Sequence, residues 1–295
     1  MVMDQADKLR KKVEQLKEQA PSARVIAVTS GKGGVGKTSI SVNLALQFQQ
    51  QGKRVVILDA DFGLANVEVM LGIRPQYNLA DVVINKCPIE KVITQGPMGI
   101  GFISGGSGVQ DLVNLDKARL QKLIAQLVKL DSLYDVVIID TGAGISDSVI
   151  EFVLSSPEVI LVITPEPTSI TDAYSLLKAV NRKKEFERSN TAIKVITNRV
   201  ESNVEGQEIY NKISMVVSKF LNIQLTYLGC IPYDKRMGNS VLEQRPIIIG
   251  NPNSEPALRI KSISNILLEI QETESKKNGI ARVLLDFIKN KKSKG

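Results

Sequence analysis

The chain has 295 residues, 43% of them hydrophobic, and a formal net charge of +7, a length that suits one large α/β domain with appendages and an ample core. It contains no histidine, which excludes imidazole bases, Ser-His dyads and histidine metal ligands, and Cys87 and Cys230 are far apart, without the paired spacing of a zinc or iron–sulfur site. Catalysis must therefore come from carboxylates, lysines, backbone amides and a hard metal ion, and the positive charge suits nucleic acid, anionic lipid or an acidic protein.

Residues 4 to 19 read as a basic amphipathic helix, with Ala6, Leu9, Val13 and Leu16 near helical spacing before a break at Ala20-Pro21. Residues 1–20 are thus expected to form an arm outside the core. The start, MVMDQADKLRKK, lacks the apolar stretch of a secretory signal, and no apolar run reaches the roughly 18 residues of a membrane span. A soluble cytoplasmic protein with incidental thiols is expected.

Short apolar runs then alternate with helix-length segments: RVIAVTS from Arg24, RVVILD from Arg54, DVVIIDT from Asp135, EVILVIT from Glu158, AIKVITN from Ala192 and TYLGCIP from Thr226. Runs apolar on both faces are what parallel strands covered by helices require. The order predicts an α/β fold over residues 21–273, a doubly wound and mostly parallel sheet with ligands at the carboxyl ends of its strands. The glycine-rich stretch from Gly96 to Gly108 is expected to hold another short strand ending in a loop.

Directly after the first run comes Gly31-Lys32-Gly33-Gly34-Val35-Gly36-Lys37-Thr38, followed by Ser39. It satisfies G-x-x-x-x-G-K-[ST] in the strand-to-helix position that gives this phosphate loop its meaning. The glycines let backbone N–H groups encircle phosphates, Lys37 reaches the β/γ-phosphates and the Thr38 hydroxyl is a ligand for Mg²⁺. Asp59 ends the second run and Asp61 follows it, an arrangement that also suits helix capping. Asp140 ends the run from Asp135, where an acid holds Mg²⁺ directly or through water.

Lys32 exceeds what an ordinary phosphate loop needs. Lys32 through Thr38 resembles the K-G-G-x-x-G-K-[ST] signature of the deviant Walker A family, which includes MinD, the ParA partition proteins and the nitrogenase iron protein. The resemblance implies an ATPase using ATP/ADP and Mg²⁺, and a homodimer in ATP in which Lys32 crosses to the partner's phosphates. The stretch Asp59-Ala60-Asp61-Phe62-Gly63-Leu64-Ala65-Asn66 resembles the MinD-like D-x-D-x-G-L-x-N segment. By that resemblance Asp61 orients or deprotonates the attacking water, and Asp59 supports the metal and phosphate environment. Where MinD reads D-x-P-x-G, this chain has Gly142 in place of proline, which sets it apart from MinD itself. Asn198-Arg199-Val200-Glu201 comes close to the guanine-reading Asn-Lys-x-Asp without matching it. By resemblance to MinD-like ATPases, Asn198 reads adenine with Arg199 alongside and Pro232-Tyr233 covering the base; a capping role for Asn198 stays open.

Residues 274–295 form a polar linker and a final amphipathic helix, with Ile280, Val283, Leu284, Phe287 and Ile288 at i, i+3, i+4, i+7 and i+8 and lysines at the end. Such a helix suits an anionic membrane surface, with packing on its own domain as the alternative. The chain from Arg24 onward resembles MinD, and Asp4-Gln5-Ala6-Asp7-Lys8-Leu9-Arg10 resembles the D-Q-A-x-x-L-R motif of the FlhG (YlxH) family of MinD-like regulators of flagellar number and placement. That resemblance implies that Asp4, Gln5, Ala6, Leu9 and Arg10 serve to stimulate the GTPase FlhF, and that the core meets flagellar switch or C-ring proteins. It also implies a cytoplasmic protein, peripheral on the inner face of the cell membrane when ATP-bound. A ParA-like DNA-segregation ATPase is the main rival; it explains the charge but does not require the apolar C-terminal stripe, so nucleic acid is not the expected partner. A small-molecule kinase is a second rival, and an iron–sulfur carrier is disfavoured by the lone cysteines.

Overall fold

The computed structural model of the protein describes residues 22–61, 66–106, 117–187, 191–274 and 279–292. Runs rich in Val, Ile and Leu become strands because β-branched side chains fill both faces of a pleated sheet. They form β1 (Arg24–Thr29), β2 (Val55–Ala60), β5 (Val136–Thr141), β6 (Glu158–Ile163), β7 (Ala192–Val200) and β8 (Leu225–Pro232). The glycine-rich stretch supplies β4 (Gly101–Ser104) as expected, and just before the stretch lies β3 (Thr94–Gln95), too short to carry a period. The order across the sheet is β3-β4-β2-β5-β1-β6-β7-β8. Every pairing is parallel except the outermost, β3 on β4.

Two layers of helices cover the sheet. On one face lie α1 (Lys37–Gln50), α2 (Asn66–Leu71), α11 (Ile247–Gly250) and α12 (Glu255–Glu274), around Ile26, Val28, Ile57 and Ile138. On the other lie α3 (Leu79–Ile84), α4 (Ile89–Val92), α5 (Lys117–Leu133), α6 (Asp147–Ser155), α7 (Pro167–Asn181) and α9 (Asn203–Leu221), around Val25, Ala27, Val137 and Ile139. Two short helices, α8 (Lys184–Glu187) and α10 (Lys235–Leu242), complete the connections. The chain leaves β1 for α1 on one face and β5 for α6 on the other. That reversal opens a crevice at the carboxyl ends of β1 and β5 where a doubly wound sheet takes its ligand.

The last helix, α13 (Gly279–Lys292), takes the alternative of packing on its own domain. Ile280, Val283, Leu284, Phe287 and Ile288 are each at most 2% exposed, and they join the core on the α5 and α6 side. The physical reason is the width of the stripe. Ala281 and Leu285 are buried as well, so the apolar face is broad enough to lie in a groove of its own domain, where each large side chain removed from water contributes about 1.5–3 kcal/mol. Asp131 of α5 receives the first amides of the helix, Ile280 N–H at 2.7 Å and Ala281 N–H at 3.5 Å. Gly279 is required there: its φ is +53°, and a Cβ would stand 2.4 Å from Asp131 Oδ2. The stripe therefore does not face outward in this structure, and residues 279–292 are continuous with the core.

Candidate nucleotide and switch site

The phosphate loop is built by close backbone approach. Gly34 and Gly36 take left-handed φ values of +75° and +95°, and a Cβ on Gly31 would fall 2.2 Å from the Asp172 carbonyl of α7. Gly36 is the N-cap of α1 without a side-chain cap, leaving amides of the first turn for an anion. Lys37 is only 8% exposed; burial lowers the pKa of its ammonium, while Asp140 and Asp61 act to raise it. Val35 is buried, whereas Gly33 and Gly34 are exposed.

Asp59 and Asp140 are partners in the β2–β5 register, which places two acids side by side at the strand ends. Asp140 accepts the Thr38 hydroxyl at 2.6 Å and the Ser41 hydroxyl at 2.8 Å. Burial pushes its carboxyl up to about 6, against the pull of those two hydroxyls and Lys37. Asp59 is pushed up to about 7, by burial first and by the Asp140 charge second. Asp59 also accepts the backbone N–H of Asp61 at 3.1 Å and of Val67 at 3.3 Å, and so clasps both ends of the segment that carries Asp61. Asp61 itself is partly exposed and accepts the Asn66 amide at 3.1 Å.

Hard oxygen donors from Thr38 and Asp140 fit Mg²⁺, an ion that takes one or two protein oxygens and completes its shell with phosphates and water. Among the described residues no group of three or more acids, histidines or cysteines could hold a metal ion. Gly142 lies beside Asp61: a Cβ there would be 3.6 Å from Asp61 Oδ1. Gly144 N–H binds Ser30 O at 3.0 Å, which ties the loop after β5 to the phosphate loop.

Asn198 is buried, and its amide donates to Val35 O at 2.7 Å; in this structure it braces the phosphate loop from the far side. Arg199 is exposed with φ +60°, in the left-handed region uncommon for a residue with a side chain. Tyr233 is exposed and its N–H binds Val200 O at 2.9 Å, so the Pro232-Tyr233 turn sits beside Asn198 and Arg199. Lys32 is turned onto its own chain, where its ammonium meets Glu166 and donates to Thr168 Oγ1 at 2.9 Å. Sequence reasoning passed over Ser41, Glu166 and Thr168. Ser41 was legible, three residues past Thr38 and so on the same helix face; Glu166 and Thr168 lie more than 130 residues from Lys32 and carry no local signal. Asp4, Gln5, Ala6, Leu9 and Arg10 lie outside the described residues, as do residues 62–65.

A ParA family model, described as NUBPL iron-transfer P-loop NTPase, matches residues 22–268. The chain belongs to the MinD/ParA family of P-loop ATPases. Within that family it resembles antiactivator FleN of Pseudomonas aeruginosa, 43% identical over 241 residues that cover 82% of this chain and 85% of FleN. Flagellum site-determining protein YlxH of Helicobacter pylori is 33% identical over 254 residues, covering 85% of this chain and 84% of YlxH. The MinC:MinD cell division complex of Aquifex aeolicus contains a chain that superposes with a TM-score of 0.66 at 25% identity, covering 86% of this chain and 97% of that one. Membership makes the protein an ATPase, and FleN and YlxH stand among its similar relatives.

Proposed function

We propose that this MinD/ParA ATPase is a switch controlling flagellar number or placement, dimerising through its phosphate loops in ATP and reaching the anionic membrane surface through α13. The identity to FleN over most of the chain supports the flagellar assignment. The observation that carries the switch is the position of α6. Its N-cap Ser146 closes the loop that follows β5, the strand carrying Asp140, and its Phe152 ring stacks on Phe287 of α13 at 4.3 Å. One helix thus connects the phosphate site to the docked C-terminal helix.

In this reading Lys37, the Gly31–Gly36 loop and Ser39 hold the triphosphate, Thr38 and Asp140 hold Mg²⁺, and Asp59 keeps the Asp61 segment in place. Bound Mg²⁺ neutralises charge on the phosphate oxygens. Asp61 orients the water, Lys32 crosses to the partner's phosphates, and Asn198, Arg199, Pro232 and Tyr233 receive adenine. Closure of the dimer moves the loop 141–146 and α6, so that Ile280, Val283, Leu284, Phe287 and Ile288 exchange protein for lipid. One such helix resembles a single lipid anchor, which binds reversibly and on the order of 10⁴ M⁻¹, and two on one dimer gain effective concentration. Residues 1–20 serve as an arm that stimulates FlhF, and the core meets flagellar switch or C-ring proteins.

Flotation with vesicles of phosphatidylglycerol and phosphatidylethanolamine tests the membrane switch. The protein should float in ATP and remain soluble in ADP. Flotation independent of nucleotide, or salt-sensitive DNA binding in place of it, would refute the reading, the latter in favour of a ParA-like role.

A further inference from the structure

We propose that the outer face of α9, from Lys212 to Phe220, is a second contact with an anionic lipid surface, beside the one given to α13. The inference rests on the membrane reading above and deepens it by naming a surface of the folded core that shares in the contact. α9 already has the stripe its own core needs: Ile209, Ile213, Val217 and Leu221 are buried at i, i+4, i+8 and i+12. Met215, Val216 and Phe220 lie outside that stripe and are 70%, 39% and 64% exposed. Exposed apolar side chains are ordinary when scattered, but these stand at helical spacing within two turns and make one patch. Lys212 precedes Met215 and Val216 by three and four positions, and Lys219 holds its ammonium over the Phe220 ring, 5.5 Å from the centroid. Cations and large apolar side chains thus share one convex face.

Charge and place decide what covers the patch. No aspartate or glutamate occurs between Glu208 and Asp234, so this stretch of chain carries only positive charge. A phenylalanine and a methionine standing out from a helix suit the boundary between headgroups and acyl chains, where lysine stems lie along apolar surface and their ammonium groups stay among phosphates. Duplex DNA would use the lysines but leave Met215 and Phe220 without apolar surroundings. The buried stripe of α9 and the buried face of α13 belong to one core on one side of the sheet, so the groove that α13 leaves and the α9 patch lie on the same side of the molecule. A single apolar anchor binds marginally, and stable attachment takes a second signal. The α9 patch supplies that signal from a part of the chain that does not have to move.

The chain contains no tryptophan, so Phe220→Trp places a single indole on the patch of the full-length protein. With ATP and vesicles of phosphatidylglycerol and phosphatidylethanolamine, its emission should shift to the blue and be quenched by lipids brominated on their acyl chains. Phe220→Ser should lower vesicle affinity roughly tenfold, the scale of one apolar side chain returned to water. Lys219→Gln should lower it roughly fivefold, the worth of one cation at an anionic surface. ATP affinity should stay at the wild-type value in all three variants, which a general structural defect would not allow. An indole that keeps its aqueous emission while the protein floats, or wild-type vesicle affinity in both Phe220→Ser and Lys219→Gln, overturns the proposal and leaves α13 as the lipid contact. Loss of DNA binding in Lys219→Gln with vesicle affinity unchanged also overturns it, in favour of nucleic acid. A wild-type protein that does not float in ATP is a separate result, which overturns the membrane reading and this proposal with it.

Discussion

Phe287 lies flat on Phe152, with ring centroids 4.3 Å apart and planes inclined by 22°. One ring belongs to the terminal helix, and the other to the helix whose N-cap ends the loop after Asp140. Phe152→Ala should loosen α13 without touching the phosphate loop, since losing a buried aromatic side chain removes about 3–5 kcal/mol of packing. The expected outcome is vesicle flotation in ADP and faster amide exchange along residues 279–292. Asp131→Asn, which weakens acceptance of the Ile280 amide, should act in the same direction on the scale of a lost helix cap, about 1 kcal/mol. If both variants stay soluble in ADP while α13 exchanges faster, release of the helix is not what limits membrane binding.

The Asp59–Asp140 pair should make the nucleotide-free protein less stable as pH rises. Both carboxyls are raised, to about 7 and about 6. Between about pH 4 and pH 7 the folded chain thus holds protons that the unfolded chain has lost. Stability then decreases as pH rises through that window. The lowered acids, Glu158, Asp135, Glu166, Asp234 and Glu90, act in the opposite sense, but only as pH falls toward and below about 4. Calorimetry without nucleotide should therefore give a lower melting temperature at pH 8 than at pH 5.5, and Asp59→Asn should flatten the difference. A melting temperature that climbs between those two pH values would show that the acids are ionised when folded.

Asp61→Ala tests the water-orienting role. It should bind ATP, lose roughly two orders of magnitude in turnover, on the scale of one preorganised polar group, and accumulate as dimer. Undiminished phosphate release would move the role elsewhere, most directly to Asp59, whose carboxylate already holds the Asp61 N–H.

The arm makes its own prediction. A peptide of residues 1–20 is too short to be a stable helix alone in water and should gain helicity on binding FlhF while raising its GTP turnover. Gln5→Ala or Leu9→Ala should blunt that effect and leave ATP hydrolysis by the core unchanged. Stimulation that survives deletion of the segment would place the activator elsewhere in the chain.

Much of the site was legible because it is local. The phosphate loop, Thr38 and the strand-end acids announce themselves by spacing, and the parallel sheet follows from β1, β2, β5 and β6 being apolar on both faces. What stayed hidden is long-range. An apolar stripe such as that from Ile280 to Ile288 has the same period whether it faces lipid or its own core, and the choice rests on α5 and α6 providing Asp131 and Phe152. Lys32 likewise shows in the sequence as a surplus cation, but its contact with Glu166 depends on β6 lying next to β1. Asn198 reads as a base contact or a cap, whereas its amide is held by Val35 O, which only the fold brings near.

The central claim is that ATP joins two chains through Lys32. Multi-angle light scattering of wild type and Lys32→Ala in ATP, beside ADP controls, measures it directly, with Lys37→Ala as the variant that should lose phosphate binding itself. The wild type should be a dimer in ATP and a monomer in ADP, with Lys32→Ala binding nucleotide but remaining a monomer. A Lys32→Ala dimer of unchanged affinity in ATP would contradict it.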